Sequence, residues 1–381
     1  MFDVVVIGGN LAGTTAAINA AKEGINVALI ERNKEPFFPA HCGEMLTDVE
    51  IELLELDRIG CDKNEINKII INISSKEYTF KLRTIKVIIL NRNFLEKRLL
   101  KEAERNGVNL IIGTRMRDFK PLNEIYLDNK EIIKGKIIID ASGISCHVGK
   151  RIGLDTKLKP GDIGVCIQSR VKGNFKSNEI KSWFHKPYAP FGYAWLFPLD
   201  EKTANIGLGV AGGQKLNLGK LLNKYITDET KGNYKITNTF RSCVPSALPI
   251  SKLIKENVII TGDAARLAHS LSGGGIRNAL FSGSLAGITA AKYIKGEISS
   301  LEPYQDFMKT KITRLEKEYN FKNKAFENEN SLIKNFGSAI KIACFLNKIF
   351  PNVFEVLYKK FSENDKLILE SYKGPSFNLF D

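Results

Sequence analysis

The turn after the first predicted strand is the feature that most constrains how this chain folds. Phe2–Ile7 is a continuous apolar stretch that predicts a buried β-strand, and the sequence GGNLAG follows it at positions 8–13. The alanine-rich stretch Leu11–Lys22 predicts a helix, and Ile25–Ile30 predicts a second strand that ends at Glu31. This order predicts a β-α-β unit with parallel strands, the opening of a Rossmann-type fold.

The glycine turn follows the dinucleotide-binding pattern G-x-G-x-x-G, except that Asn10 stands where the second glycine is expected. Gly8 permits the tight turn, and Gly13 permits close packing of the helix on the strand. A phosphate would lie at the helix N-terminus, where free N–H groups favour an anion. Glu31 is placed to accept hydrogen bonds from a ribose diol, so the unit predicts a bound dinucleotide.

Two later segments favour FAD over a nicotinamide cofactor. In Ile137–Gly143 a predicted strand ends in Asp140 and a turn of small residues, and in Val258–Gly283 another strand ends at Asp263. Three glycines, Gly273–Gly275, then open a helix whose positive end can face the flavin ring. A helix cap for Asp263 and a flexible loop for the three glycines are the structural alternatives.

The remaining segments predict the division of the chain. Asn93–Asn106 predicts a helix and Val108–Ile112 a strand, whereas the segment from Asp162 to Gly209 is rich in β-type alternation and aromatic residues. After Ser300 the chain is mostly helical and rich in lysine. We therefore predict an α/β fold with an FAD-binding domain in two parts (1–155 and 251–298), an inserted β-rich substrate-binding domain (156–250) and a helical C-terminal region (299–381).

Charge and composition limit the classes of partner and site. The net charge of +14 suggests an anionic partner or a solvated basic surface, and no nucleic-acid-binding motif is found, so nucleic acid is not expected. The six cysteines are scattered without a CxxC pair, and no metal site is predicted. No apolar run approaches the ~20 residues of a membrane span, and the N-terminus does not resemble a signal peptide, so a cytoplasmic location is expected.

The sequence PFGYAWLFP, at positions 190–198, places four aromatic residues in nine positions. Together with the three nucleotide-site elements in their order, it carries a family resemblance. Those elements resemble the flavoprotein hydroxylase superfamily, and the aromatic stretch is similar to the P-x-x-Y-x-W-x-F-P pattern of the geranylgeranyl reductase family. The matching positions are Pro190, Tyr193, Trp195, Phe197 and Pro198.

Two further segments between Met1 and Tyr293 extend the resemblance. His41-Cys42-Gly43-Glu44 resembles the family's cysteine-glycine-acid motif, although His41 stands where the family more often has proline. Leu90–Gly107 resembles the family's arginine-containing helix, with Arg92 near the flavin. The family resemblance implies FAD-dependent saturation of isoprenoid double bonds, on an archaeal digeranylgeranylglycerol-type lipid or on a geranylgeranyl chain of a pigment precursor.

The resemblance also implies which residues form the site. The aromatic stretch would line an isoprenoid tunnel facing the flavin, the alternative being ordinary core. Hydride from reduced flavin and a proton from an acid would saturate the alkene, with Cys42, His41 and Tyr193 as candidate acids and Cys42 ranked first. The candidate cofactor contacts are Gly8, Gly9, Asn10, Ala12, Gly13, Glu31, Arg32, Cys42, Gly43, Arg92, Asp140, Gly143, Gly262, Asp263, Gly274, Gly275 and Ile276.

Two other functions fit the same sequence. One is an FAD-dependent monooxygenase acting on an apolar substrate, and the other is an FAD-binding subunit that passes electrons to a partner protein. For the reductase we expect a polyprenyl lipid substrate, a reduced ferredoxin-like or nicotinamide electron donor, and peripheral contact with the inner face of an anionic membrane.

Overall fold

The computed structural model describes residues 1–35, 42–54, 56, 60–73, 76–120, 124–328, 331–349 and 353–373. The strands are β1 (Phe2–Ile7), β2 (Val27–Glu31), β3 (Met45–Thr47), β4 (Asp62–Ile66), β5 (Lys68–Ile73), β6 (Lys76–Lys81), β7 (Val87–Leu90), β8 (Asn109–Ile112), β9 (Met116–Lys120), β10 (Glu124–Leu127), β11 (Ile132–Asp140), β12 (Ile163–Lys172), β13 (Glu179–His185), β14 (Ala189–Pro198), β15 (Thr203–Ala211), β16 (Lys235–Pro245), β17 (Ile254–Lys255) and β18 (Val258–Ile260). The α-helices are α1 (Leu11–Lys22), α2 (Asp48–Leu53), α3 (Arg92–Arg105), α4 (His147–Arg151), α5 (Leu218–Thr230), α6 (Ile276–Ile294), α7 (Glu302–Ala325), α8 (Ser338–Ile349) and α9 (Val353–Lys373).

The first sheet forms the centre of the nucleotide-binding half. Its order is β17-β18-β11-β1-β2-β8, in which β18, β11, β1, β2 and β8 are parallel neighbours. Strand β10 extends it by antiparallel pairing with β11, and β9 pairs antiparallel with β10. Because β1 and β11 are fully parallel neighbours, the turns that follow them open at the same edge of the sheet. The predicted α/β fold class is confirmed.

Helix α1 packs directly against α6, and small residues set how closely the two helices approach. A Cβ atom built on Gly283 would lie 2.3 Å from the Ala12 carbonyl oxygen, and one built on Gly287 would lie 2.2 Å from the Ala16 carbonyl oxygen. Neither position accepts a larger residue without moving a helix backbone. This contact places the N-terminus of α6 near the N-terminus of α1, although 265 residues separate them in the sequence.

The second sheet has the order β16-β12-β15-β14-β13-β5-β6. One of its faces packs on α5, whose Tyr225 and Ile226 are fully buried with Ala194, Leu196 and Leu208. The opposite face carries Trp195 and Phe197, which pack with apolar residues of β4 and β7. The alternation along β14 therefore sends Ala194 and Leu196 into the core and the aromatic residues to the other side.

The hairpin of β5 and β6 joins this second sheet through parallel pairing with β13, from Lys68–Glu179 to Ile73–Phe184. The predicted division at residue 155 placed this hairpin in the FAD-binding domain. The structure corrects that point, because β5 pairs with β13 and the hairpin is therefore part of the second sheet. The pairing has no local sequence signature.

The C-terminal helices pack on the nucleotide-binding half. Asp365 on α9 accepts hydrogen bonds from Arg277 on α6 at 2.6 Å and from Lys311 on α7 at 2.8 Å. Glu355 on α9 accepts hydrogen bonds from three successive backbone N–H groups at residues 83–85. Buried carboxylates thus hold α9 near its N-terminus and near its middle. No described helix combines the length and the apolarity that a membrane-spanning segment requires.

Gly283→Ala tests the close contact between α1 and α6. The added methyl group must displace the Ala12 backbone, so we expect a loss of about 1–3 kcal/mol in the free energy of unfolding. Urea denaturation measures it. Gly219→Ala on α5 is the matched control, because the nearest atom to its new Cβ lies at 3.5 Å and alanine favours a helix. Equal stabilities for the two variants would contradict the prediction.

Candidate cofactor and substrate site

One cavity of about 1400 Å³ lies between the two sheets. It is larger than the roughly 300–1,000 Å³ of common small-molecule sites, so it has room for a dinucleotide and a second ligand. Most of the predicted site residues line it, namely Gly8, Asn10, Ala12, Glu31, Arg32, Cys42, Gly43, Arg92, Gly143, Tyr193, Trp195, Phe197, Asp263, Gly274, Gly275 and Ile276. His41 lies outside the described residues.

The glycine turn forms the nucleotide end of the cavity. Gly8 has φ +107°, in the region that favours glycine, and a Cβ on Gly13 would lie 1.8 Å from the Gly8 carbonyl oxygen. Asn10 has φ −89°, an ordinary angle, so the backbone does not require asparagine or glycine there. Its Oδ1 instead accepts a hydrogen bond from Arg92 Nη2 at 3.4 Å.

Glu31 closes the glycine turn from the neighbouring strand. Its Oε2 accepts a hydrogen bond from Gly9 N at 2.8 Å, and its Oε1 accepts one from Asn33 N at 2.7 Å. The side chain also lines the cavity, so the predicted ribose contact stays a prediction. A Cβ on Gly9 would lie 2.8 Å from Glu31 Cβ, which gives Gly9 a packing role away from the cavity.

Two helix N-termini open into this cavity without a side-chain cap. Asn10 precedes α1 and Gly275 precedes α6, and neither residue makes a side-chain hydrogen bond to its helix. Uncapped N–H groups and the helix dipole favour a negatively charged or electron-rich ligand at both places. These residues fit FAD, with the α1 end suited to hold a pyrophosphate and the α6 end suited to hold the flavin ring edge.

Asp263 and Arg92 lie near the α6 end. Burial raises the pKa of the Asp263 carboxyl, while the positive charge of Arg92 acts in the opposite direction. Arg92 Nε donates to Glu96 Oε1 at 2.8 Å. Burial acts to lower the pKa of Arg92, but Glu96 and Cys42 outweigh it and the net shift is upward, so the guanidinium stays charged.

The structure corrects the predicted contact between Asp140 and the cofactor. Its side chain is fully buried and does not line the cavity. Its two oxygens accept hydrogen bonds from the backbone N–H groups of Ser142, Val148 and Gly149 at 2.8–3.0 Å. An acid that ends a strand can cap the following turn as readily as it contacts a ligand, and here Asp140 shapes the turn that contains Gly143.

Four other predicted contacts also lie away from the cavity lining. Gly13 is needed for close packing, as is Gly262, whose Cβ would lie 2.7 Å from Ala12 Cβ. Pro190 and Pro198, predicted to contact substrate, lie at the two ends of β14 and do not reach the cavity. These residues shape the site from behind its surface.

The cysteine loop bridges the two halves of the molecule. Glu44 has φ +65° and is 2% exposed, and its carboxylate accepts hydrogen bonds from Arg170 Nη2 at 2.6 Å and Asn205 Nδ2 at 2.8 Å. A Cβ on Gly43 would lie 2.9 Å from the Phe197 ring, so only glycine lets the loop lie flat on the aromatic face. This contact brings Cys42 to the cavity.

Sequence reasoning missed Gln168, Arg170 and Asn205, which hold this loop. All three are polar residues on strands of the inserted domain, and Gln168 and Asn205 are buried there. Gln168 and Arg170 are two positions apart on β12 and therefore lie on the same face. Two polar residues on the same face of a mostly apolar strand were the signal in the sequence that could have marked this contact.

The aromatic residues of β14 form the wall opposite the glycine turn. The ring centroids of Tyr193 and Trp195 are 5.4 Å apart, and those of Trp195 and Phe197 are 6.3 Å apart. The Tyr193 hydroxyl donates to the Ser272 carbonyl oxygen, and burial raises its pKa above the usual value for tyrosine. Because its proton is already committed and weakly acidic, Tyr193 is better suited to hold the wall than to donate a proton.

The loop before α6 is held by α7. Glu318 Oε2 lies 2.7 Å from His269 Nδ1, and Glu318 Oε1 accepts a hydrogen bond from Leu271 N at 2.9 Å. Burial acts to raise the pKa of Glu318, but His269, the Leu271 amide and Arg314 outweigh it, and the net shift is downward. Sequence reasoning gave this carboxylate no role.

This lowered pKa predicts a pH-dependent contribution to stability. A carboxyl with a lowered pKa in the folded state stabilises the protein above its unfolded pKa, near 4.5, and loses that contribution as the pH falls through its folded pKa. We expect Glu318→Gln to lower the unfolding free energy at pH 6 and to approach the wild type below pH 4. Urea denaturation across this range measures the difference, with Glu316→Gln on the same helix as the control. A difference that does not change with pH would contradict the prediction.

Comparison with known proteins agrees with this geometry. The sequence profile of the geranylgeranyl reductase catalytic domain matches residues 162–244, and that of FAD dependent oxidoreductases matches residues 3–37. Digeranylgeranylglycerophospholipid reductase 2 of Methanococcoides burtonii is 31% identical over 82% of this chain and 80% of its own length. Digeranylgeranylglycerophospholipid reductase 3 of Methanosphaera stadtmanae is 31% identical over 83% of this chain and 85% of its own length.

Solved structures support the fold. A geranylgeranyl bacteriochlorophyll reductase-like protein from Thermoplasma acidophilum superposes with a TM-score of 0.79 at 24% identity, covering 94% of this chain and 98% of its own. The flavin-dependent brominase Bmp2 superposes with a TM-score of 0.70 at 17% identity, covering 99% of this chain and 94% of its own. From the sequence relatives together with this architecture, the chain belongs to the geranylgeranyl reductase family and is an FAD-dependent oxidoreductase.

Proposed function

We propose that this protein reduces carbon–carbon double bonds in the geranylgeranyl chains of an archaeal-type glycerophospholipid. The observation that carries the proposal is the position of the β14 aromatic wall, which faces the same cavity as the uncapped N-terminus of α6. The names of the relatives, digeranylgeranylglycerophospholipid reductases, support the same substrate class.

The aromatic wall suits an isoprenoid chain. Trp195 and Phe197 are 7% and 6% exposed and present apolar surface to the cavity. Burial of each CH₂ group is worth about 0.8 kcal/mol, so a long chain binds without a polar contact near the reacting bond. A wall without polar selectivity also lets successive double bonds occupy the same reacting position.

The chemistry requires a hydride and a proton. Bound FAD, once reduced, supplies the hydride equivalent to one alkene carbon. The protein holds the alkene between the α6 end and the aromatic wall and excludes water from it. The other carbon takes a proton from a side chain, and the group that gives it up is left with a negative charge.

We assign this proton to the Cys42 thiol. Cys42 lines the cavity on a loop that is packed against Phe197, and its Sγ accepts a hydrogen bond from Glu44 N at 3.2 Å. The positively charged Arg92 interacts with Cys42, and both residues line the cavity. Solvent protons restore the thiol after the product leaves.

The electron donor that reduces the cofactor is proposed to be a ferredoxin-like protein or a nicotinamide nucleotide. The excess of lysine and arginine, 56 against 42 acidic residues, suits an acidic protein donor.

Cys42→Ala tests the proton assignment. We expect this variant to keep its bound flavin and to lose alkene reduction by about 10²-fold or more, the scale of general acid catalysis. Turnover of a digeranylgeranyl phospholipid under anaerobic conditions, with dithionite as reductant, measures it by mass spectrometry of the product. Tyr193→Phe is the control, because it keeps the aromatic wall and removes the other described candidate acid. Full activity in Cys42→Ala, or an equal loss in Tyr193→Phe, would remove Cys42 from this role.

We further propose that the C-terminal helices bring the protein to the inner face of the membrane that contains its substrate. Ile342 on α8 and Val356 and Leu367 on α9 are 58–60% exposed. Lysines adjoin two of them, at Lys341 and Lys366. Exposed apolar side chains beside lysines suit the surface of an anionic bilayer.

Ile342→Glu combined with Leu367→Glu tests this membrane contact. We expect the double variant to lose most of its flotation with anionic liposomes in low salt, because glutamate repels the lipid headgroups and removes apolar contact area. Ile132→Glu, at another exposed isoleucine on β11, is the matched control and should float as the wild type does. Unchanged flotation of the double variant would place the membrane contact elsewhere.

A further inference from the structure

Two successive hydrogen bonds, one buried and one partly buried, join the aromatic wall to the cysteine loop. Trp195 Nε1 donates to Gln168 Oε1 at 2.9 Å, and Gln168 Nε2 donates to the Cys42 carbonyl oxygen at 2.9 Å. An indole N–H can only donate and a carbonyl oxygen can only accept, so the two partners fix the orientation of the Gln168 amide. Gln168 is 5% exposed, and its uncharged amide supplies both the acceptor that Trp195 needs and the donor that the Cys42 carbonyl needs.

The indole has little freedom of its own. A Cβ on Gly207, the residue paired with Trp195 across β14 and β15, would lie 2.4 Å from the indole ring. The ring therefore lies flat on the β15 backbone and cannot move toward the sheet. Gln168 pairs with the same Gly207 from the other side, across β12 and β15. The hydrogen bond from Trp195 to Gln168 therefore joins the edge of the ring to β12.

The cysteine loop has a second, separate attachment. Glu44 is held by Arg170 and Asn205 on the same sheet. Loss of the Gln168 contact therefore leaves the loop attached two residues further on, and Cys42 shifts locally without release of the loop. This division of roles makes Gln168 testable by substitution.

We propose that Gln168 is a positioning residue, which sets the Cys42 thiol relative to Trp195 and thereby to the alkene that lies on the aromatic wall. The inference rests on the proposed function in that Cys42 gives the proton. The same two hydrogen bonds also link the state of the substrate wall to the thiol, because a lipid pressed against Trp195 acts on the Cys42 backbone through Gln168.

Gln168→Glu removes the hydrogen bond between residue 168 and the Cys42 carbonyl oxygen. The carboxylate still accepts from Trp195, but its second oxygen faces the Cys42 carbonyl oxygen and repels it. We expect the pH profile of Cys42 alkylation by iodoacetamide, followed by mass spectrometry of the Cys42 peptide, to shift from that of the wild type. A misplacement near 1 Å costs about 10²-fold in rate, so kcat should fall on that scale with KM changed little.

Trp195→Phe removes the other hydrogen bond, the one from Trp195 to Gln168. Its effect is measured by the pH profile of Cys42 alkylation in the absence of substrate. We expect its profile to shift in the same sense, and the double variant to shift no further than the larger single change, because both substitutions remove one coupled unit. Additive shifts of the alkylation profile would mean that the two residues act on Cys42 independently. That result would overturn the proposed link from Trp195 through Gln168 to Cys42.

Ser169→Ala is the matched control. Ser169 is the next residue on β12, is fully buried, and shares a hydrogen bond with Thr239 at 2.8 Å on the side away from Cys42. It should keep the wild-type alkylation profile and kcat. A wild-type profile in Gln168→Glu, or an equal shift in Ser169→Ala, would overturn the inference.

The alkylation readout separates this inference from the proposed function. If the wild-type protein reduces no isoprenoid lipid, the proposed function fails, and the alkylation profiles still decide whether Gln168 positions Cys42. Flavin content and melting temperature identify a variant that has not folded, and Trp195→Phe then carries the test in place of Gln168→Glu.

Discussion

The close backbone contact between α1 and α6 is the constraint on which the rest of the site depends. Gly13 touches the Gly8 carbonyl group and Gly283 touches the Ala12 carbonyl group, and neither contact leaves room for a Cβ atom. Only this approach brings the N-termini of two helices, far apart in the sequence, to the same cavity. Two positive helix ends that face one space suit a ligand with a pyrophosphate and an electron-rich ring edge.

The second requirement is a wall that faces those helix ends. It is built from alternate residues of β14 and lies on the opposite sheet, so the site exists only where the two halves meet. The loop that carries Cys42 crosses this junction, held through Glu44 by Arg170 and Asn205 and through its own carbonyl by Gln168. Charged and amide groups hold the loop by hydrogen bonds, and the apolar face of β14, the proposed substrate wall, packs against it.

The C-terminal helices take part in the site through two carboxylates, the half-buried Glu318 and the buried Asp365. Glu318 on α7 fixes the loop that precedes α6, and Asp365 on α9 holds Arg277 in the first turn of α6. Each carboxylate is paired with a cation or with backbone N–H groups, which is what makes its burial tolerable. The helical region is therefore part of the frame that positions the loop before α6 and the first turn of α6.

The sequence alone determined the elements whose signals are local. The strand, turn and helix from Phe2 to Lys22, the strand that ends at Asp140 and the alternation along β14 all follow from periodicity and from glycine. Only the tertiary structure decided that Asp140 caps a turn, that β5 pairs with β13, and that Gln168 reaches Cys42 across 126 residues. The physical reason is the distance in the sequence over which each signal acts. Periodicity reflects the environment of one helix or strand. A hydrogen bond between distant residues depends on how whole sheets and helices pack, and no local pattern encodes that packing.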